Sequence, residues 1–373
     1  MKMNFFRVCH LSSVHPRNDT RIFYKMCASL ANSGYEVTLV VADGKGDETN
    51  SGVAIHDVGS PRGRFDRMRH VPKRVFAKAV ELNADLYHLH DPELIPIGLK
   101  LKRLGKKVIF DSHEDVPKQL LSKSYLNPVL LRMLSLVYAQ FECFACARFD
   151  AIVAATPFIR NKFLKVNPRT VDINNFPILG ELATPIGHTE SRAKICYVGG
   201  ITEIRGIRET VCAMDLLNSD IRLDIAGNFL DAELGAEMRQ HPGWKRVNEL
   251  GFIGRQDVRK VLSQSSMGLV TLHPTINYID ALPVKMFEYM SAGIAVIASD
   301  FPLWREIIEG NGCGMCVDPL NPQAIAAAID TLSQNPDRAR KMGKNGQRAV
   351  QERYNWKVEE QKLLQLCKEL LTD

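Results

Sequence analysis

The chain has 373 residues, 45% of them hydrophobic, with 48 Lys and Arg against 42 Asp and Glu for a formal net charge of +6. At about 100–200 residues per domain this implies two domains, each able to bury a core, and the composition excludes a disordered or collagen-like chain. No apolar run comes near the roughly 18 residues that cross a bilayer, and Met1–Arg7 lacks a charged-then-apolar export pattern, so a cytoplasmic protein is expected.

Thr20–Ser33 follows a first strand at Phe5–Leu11 and carries Ile22, Phe23, Met26 and Leu30 at helical spacing, with Gly34 as its stop. Strands are expected at 36–42, 53–58, 85–90, 107–111 and 150–155, with a helix at 93–104 and one or two amphipathic helices between Leu120 and Phe149. A short strand at 171–174 ends in Asn175-Phe176-Pro177. Residues 177–192, rich in Pro, Gly, Thr and Ser, read as a linker. The second half repeats the alternation: strands at 195–198, 221–226, 247–250, 268–272 and 294–299, with helices at 206–217, 257–264, 284–292 and 322–334 and a last helix at 358–371. Continuous Val/Ile runs joined by helices imply parallel sheets covered on both faces. The expected division is 1–176, a linker at 177–192, a second domain at 193–355 and a C-terminal helix at 356–373 that packs back on the first domain.

Nine cysteines, an odd count, read as reduced thiols. Cys143/Cys146 and Cys313/Cys316 have the gap of a zinc half-site, but no Cys/His cluster sits beside either pair. Both read as buried small residues, and no metal is expected. Residues 1–180 hold 26 Lys/Arg against 17 Asp/Glu, and residues 181–373 hold 22 against 25. The basic stretches at 62–78 and 100–107 are either a solvated face or a surface drawn to an anionic partner, such as phospholipid or a lipid diphosphate. Nucleic acid is not expected, because no recognition motif accompanies the charge.

Ligands of open α/β sheets bind beyond the carboxyl ends of the strands. Five segments stand there. Gly199-Gly200 follows a strand, and Arg205 comes just before the next helix, an arrangement suited to a diphosphate or to a plain tight turn. In Asp280-Ala-Leu-Pro-Val-Lys-Met-Phe-Glu288, Pro283 suits a first helical turn. The amides at Ala281, Leu282, Pro283 and Val284 would face an anion, Lys285 would add charge, and Glu288 could accept a ribose diol. His88, His90, Asp91 and Glu93 end one first-domain strand, and Asp111, His113 and Glu114 end another. Between the first strand and first helix, Arg17 and Arg21 could hold an acceptor phosphate, while Asp19 or Thr20 could simply cap the helix.

These motifs resemble glycosyltransferase family 4. The strings at 273–299, at 198–206 (Val-Gly-Gly-Ile-Thr-Glu-Ile-Arg-Gly), at 87–93 (Tyr-His-Leu-His-Asp-Pro-Glu) and at 111–115 (Asp-Ser-His-Glu-Asp) carry the likeness. The opening His15-Pro16-Arg17 through Phe23 is similar to bacterial members of surface-polysaccharide clusters. The resemblance implies the α/β GT-B fold, two Rossmann-like doubly wound domains facing a cleft, and retaining transfer without a divalent metal or other cofactor. It implies a UDP-, GDP- or dTDP-linked donor and a saccharide or undecaprenyl-diphosphate-linked acceptor. The setting implied is O-antigen, capsule or exopolysaccharide assembly, with the chain at the inner face of the plasma membrane.

The family pattern places Glu288 on the donor ribose, Asp280 near the donor sugar, and Arg205 where a Lys usually meets the diphosphate. Gly199, Gly200, Gly227 and Ile253 fall on the donor side, and His113 contacts the transferred sugar. Arg17, Asp19, Arg21, His90 and Glu93 fall on the acceptor side. Two departures stand out: Asp280 where Glu is usual, and Gly200 where Arg is usual. They keep open a non-catalytic sugar-nucleotide-binding subunit, and the same two-domain frame also supports a nucleotide-sugar epimerase or hydrolase.

Overall fold

The structure, a computed structural model, describes residues 6–121, 127–182 and 194–372. It divides into two compact units, Met1–Asn175 with Val358–Asp373, and Phe176–Lys357. Most of the segment read as a linker lies outside the described residues, but 177–182 belongs to the second unit, where Leu182 is fully buried.

The first unit contains β1 (Arg7–Leu11), β2 (Glu36–Val41), β3 (Glu48–Asn50), β4 (Val53–Asp57), β5 (Leu86–Leu89), β6 (Lys107–Ser112), β7 (Ala151–Ala154) and β8 (Thr170–Asp172). They form one sheet in the order β3-β4-β2-β1-β5-β6-β7-β8. The second unit contains β9 (Lys194–Val198), β10 (Arg222–Ala226), β11 (Val247–Gly251), β12 (Ser265–Val270), β13 (Ala295–Ser299) and β14 (Gly314–Val317), in the order β11-β10-β9-β12-β13-β14. The second is the doubly wound order, and the order reverses between β1 and β5 and between β9 and β12. These are the topological switch points where such sheets take their ligands. Central strands are buried on both faces, as at Ala295–Ser299, which is why they read as unbroken apolar runs.

Several expectations are corrected. The first sheet is not wholly parallel: the exposed edge strand β3 pairs antiparallel with β4. The first helix opens as a π-helix over Thr20–Cys27 and turns α only at Ala28–Asn32. A further helix, Pro336–Glu352, lies between the two expected at 322–334 and 358–371, and Pro336 starts it, where its missing N–H costs nothing. The largest correction concerns Pro128–Cys146. This 19-residue helix is long and apolar enough to cross a membrane, with a mean hydropathy of 1.4 and 22% of its apolar window buried. Its polar residues are spread singly, so no uninterrupted apolar run betrays it.

The helix Val284–Ala292 positions the most specific motif. It starts after Pro283 and ends at Gly293, whose φ of 71° is a left-handed cap. It lies close on β12 because Gly268 has no side chain: a Cβ there would fall 2.3 Å from the Tyr289 ring. At the other end of the chain, Asn174 N donates to Glu359 Oε2 at 2.8 Å and Lys362 Nζ donates to Asp172 O at 3.1 Å. These bonds tie the last helix, Trp356–Thr372, to the end of β8.

Candidate active site

In the second unit the site begins where β9 runs into Gly199-Gly200. Gly199 has φ 126° and its amide donates to Ala226 O. Gly227 makes this turn possible: a Cβ there would lie 2.0 Å from Gly199 O. Its lack of a side chain lets two strand ends approach. Gly206, φ 75°, does the same against β12, since a Cβ would lie 1.9 Å from Thr271 O. Arg205 Nη1 donates to Gly200 O at 3.1 Å, and Tyr197 Oη donates to the same carbonyl at 2.9 Å. Burial opposes the Arg205 charge, but the Tyr278 and Tyr197 hydroxyls beside it hold its pKa above the ordinary value.

Lys285 reaches this turn from the neighbouring helix. Its Nζ is shielded from water, has no hydrogen-bond partner, and lies 3.6 Å over the Tyr197 ring. Tyr289, one turn on, accepts the Val198 amide at 2.8 Å and locks the helix to the end of β9. Of the amides expected to face an anion, Ala281 N donates to Tyr278 O and Pro283 has none, leaving Leu282 and Val284. The helix start has no side-chain cap. Ala281 O is held by Trp304 Nε1 at 2.7 Å, which fixes the loop after the half-buried Asp280.

Glu288 is nearly buried, and its Oε1 accepts from Arg255 Nη1 at 2.6 Å. Arg255 also donates through Nε to Glu181 Oε1 at 2.8 Å. Arg255 escaped the sequence reading. It lies at the start of the helix Arg255–Gln264, two residues after the partly buried Ile253, and only the folded chain brings it to Glu288.

In the first unit, His113, His90 and Asp111 do come together at the ends of β5 and β6. Asp111 is fully buried and takes a bidentate pair from Arg21, Nε to Oδ2 at 3.1 Å and Nη2 to Oδ1 at 2.8 Å. Burial would raise the Asp111 pKa, but Arg21 and then His113 hold it well below the carboxylate range. His113 Nε2 stands 3.3 Å from Asp111 Oδ2, and His90 Nδ1 stands 3.4 Å from the same oxygen. His90 Nε2 meets His10 Nδ1 at 2.8 Å, and His88 packs beside both. Burial pushes the pKa values of His10, His88 and His90 down, with neighbouring histidines adding to the effect at His10 and His88.

Among the described residues two groups, His10-His88-His90 and His90-Asp111-His113, contain enough ligand atoms for a metal. The first is arranged otherwise: 2.8 Å between His10 and His90 is a hydrogen bond, whereas two nitrogens on one tetrahedral zinc stand about 3.3 Å apart. In the second, Asp111 already answers Arg21.

The expected acceptor residues are largely engaged. Arg17 pairs with Asp43 at 2.7 Å and Glu48 at 3.3 Å, and Arg21 holds Asp111 and Ile173 O. Each guanidinium is thus already paired with carboxylates of the first unit. Asp19 caps the helix, accepting from the Arg21 and Ile22 amides. His15, also missed, bridges Asp19 at 3.3 Å and Asp91 at 3.4 Å; burial opposes its charge, but these carboxylates raise its pKa. Glu93 lies 3.6 Å from Arg67, and burial, then Asp91, raises its pKa.

The family described as "Glycosyltransferase Family 4" matches residues 20–174, and "Glycosyl transferases group 1" matches residues 181–349. The chain belongs to glycosyltransferase family 4. The chain is 22% identical over 204 residues to the uncharacterized glycosyltransferase MJ1069 of Methanocaldococcus jannaschii, covering 54% of this chain and only 51% of that relative. It is 24% identical to the GDP-mannose:cellobiosyl-diphosphopolyprenol alpha-mannosyltransferase of Xanthomonas oryzae pv. oryzae, over 74% of this chain and 71% of that one. Among solved structures, Anabaena HepE in complex with UDP-glucose superposes with a TM-score of 0.74 at 14% identity, covering 97% of this chain and 99% of that one. The chain has the GT-B fold.

Proposed function

We propose that this transferase moves a sugar, with retention, from a nucleotide sugar held by the second unit to a saccharide or polyprenyl-diphosphate-linked saccharide. The carrying observation is the convergence of Arg205 and the unpartnered Lys285 on the Gly199 turn at a topological switch point. Two basic side chains on a glycine turn fit a diphosphate, and Glu288 behind them fits a ribose. In this reading the leaving diphosphate is neutralised by Arg205, by Lys285 in its protonated form, and by the Leu282 and Val284 amides, without a metal. In the first unit, His113, with Asp111 beside it, is the side chain proposed to serve the sugar chemistry. The named mannosyltransferase and the UDP-glucose complex support a nucleotide-sugar donor, and the former supports a lipid-linked acceptor.

The setting proposed is surface-polysaccharide assembly on the cytoplasmic face of an anionic membrane. The helix Pro128–Cys146 supports it: Val129, Met133, Leu136 and Val137 are each more than half exposed. So does the basic helix Arg64–Arg69, on which Phe65 and Met68 stand out among arginines.

A thermal-shift screen with UDP-, GDP- and dTDP-sugars should give one specific stabilisation, and Glu288→Ala should abolish it with folding intact. Transfer that survives Glu288→Ala unchanged overturns the donor site. Turnover of the donor with no acceptor present favours the epimerase or hydrolase reading. Vesicle flotation should require anionic lipid and weaken in high salt; no flotation at any salt removes the membrane claim.

A further inference from the structure

Lys285 stands in a place where an ammonium is badly served. It projects from the first turn of Val284–Ala292, and its shielded Nζ makes no hydrogen bond. A Cβ built on Gly199 would lie 3.7 Å from Lys285 Nζ and 3.9 Å from Arg205 Nη1, so two like charges crowd one backbone turn. The carboxylate on the same helix, Glu288, gives Oε1 to Arg255 instead. The charged and titratable groups facing Lys285 are Arg205, Cys196, Glu288 and Tyr197. Removal from water is the largest influence and Arg205 the next; both oppose the charge, and Cys196 and Glu288 only partly offset them. The amine is pushed down to about 7. The Tyr197 ring face favours a cation, but it does not replace lost hydration or a counter-ion.

We propose that Lys285 is largely an uncharged amine in the free transferase and takes up one proton from solvent when a nucleoside diphosphate binds. This rests on the donor-site reading above. The step is a protonation alone: the amine lone pair accepts H⁺ from buffer, and no covalent bond forms to the ligand. Bound phosphate oxygens supply the missing hydrogen-bond acceptors and outweigh the repulsion of Arg205, which makes the ammonium the stable form. The free site thus avoids holding two unpaired cations together, and it becomes fully charged only when the anion is present. Release of the nucleoside diphosphate then requires loss of that proton and is favoured at higher pH.

The test is titration calorimetry of the full chain with UDP, GDP and dTDP at pH 8, in HEPES and in Tris, whose ionisation enthalpies differ. With the free amine at about 7, wild type should take up about 0.9 proton per nucleotide bound, and its affinity should fall nearly tenfold between pH 8 and pH 9. Lys285→Arg stays charged at both values, so it should bind without proton uptake and with a flat pH profile. Circular dichroism confirms that the variant is folded. Binding by wild type with equal enthalpy in both buffers overturns the proposal, as does uptake that persists in Lys285→Arg. If no nucleoside diphosphate binds wild type at all, the donor-site reading falls and takes this proposal with it.

Discussion

Replacing Arg21 with Met tests whether that residue is an internal strut or an acceptor ligand. Its guanidinium makes two bonds to Asp111 and a third, at 2.7 Å, to Ile173 O, and both side chains are almost wholly removed from solvent. Methionine fills similar space but leaves a buried carboxylate without its counter-ion. Breaking such a pair from one side costs about 3–5 kcal/mol, which is about 6–20 °C of melting temperature for a unit of this size. The pH dependence has a definite sign. In wild type the depressed Asp111 pKa contributes stability above the unfolded carboxylate pKa, and this is lost as pH falls through the folded value. In the variant, burial acts without Arg21 and raises that pKa, so the carboxyl can be protonated at mild acidity. The deficit should therefore be larger at pH 8 than at pH 5. Adding Asp111→Asn should recover a large part of it, because no charge is then left unpaired. Thermal melts of the four proteins at both pH values make the measurement. A variant that melts within a degree or two of wild type at pH 8, with a raised acceptor KM, would refute the strut and restore the phosphate-binding role.

Gly206→Ala should cost more than about 2 kcal/mol and abolish nucleotide binding, because the new Cβ meets Thr271 O at a positive φ; a soluble variant with wild-type melting would contradict this. Tyr289→Phe removes the acceptor of the Val198 amide and should lower stability by about 1–3 kcal/mol, read by urea denaturation. Cys9, Cys27, Cys146, Cys196, Cys313 and Cys367 are buried free thiols whose pKa values burial pushes up, so native protein should alkylate slowly at pH 8 and rapidly in denaturant. Equal rates in both states would show that these cores open.

Local signals account for much of the framework. Val/Ile runs mark the central strands because those strands are buried on both faces, and Pro283 and Gly293 bracket the key helix because each suits one end of a helix. Elements without such signals were lost. The four-residue β14 at Gly314–Val317 is too short to show a period, and Pro336 looks the same ending one helix as beginning another. The apolar character of Pro128–Cys146 is diluted by Arg132, Gln140 and Glu142, so its exposed face appears only when its neighbours are in place.

The sequence by itself determined which residue types end the strands: glycines and Arg205 after β9, Asp280 to Glu288 around a helix start, histidines and acids after β5 and β6. That information is local, because a strand end, a turn and a helix start are set by neighbours a few residues away. Only the tertiary structure decided which of these groups face a ligand and which face each other. Arg21 finds Asp111 across 90 residues and Arg255 finds Glu288 across 33, while Lys285 is left with none. Charge pairing depends on distance and dielectric in three dimensions, and a buried cation is a strut or an anion trap according to whether a carboxylate lies within reach.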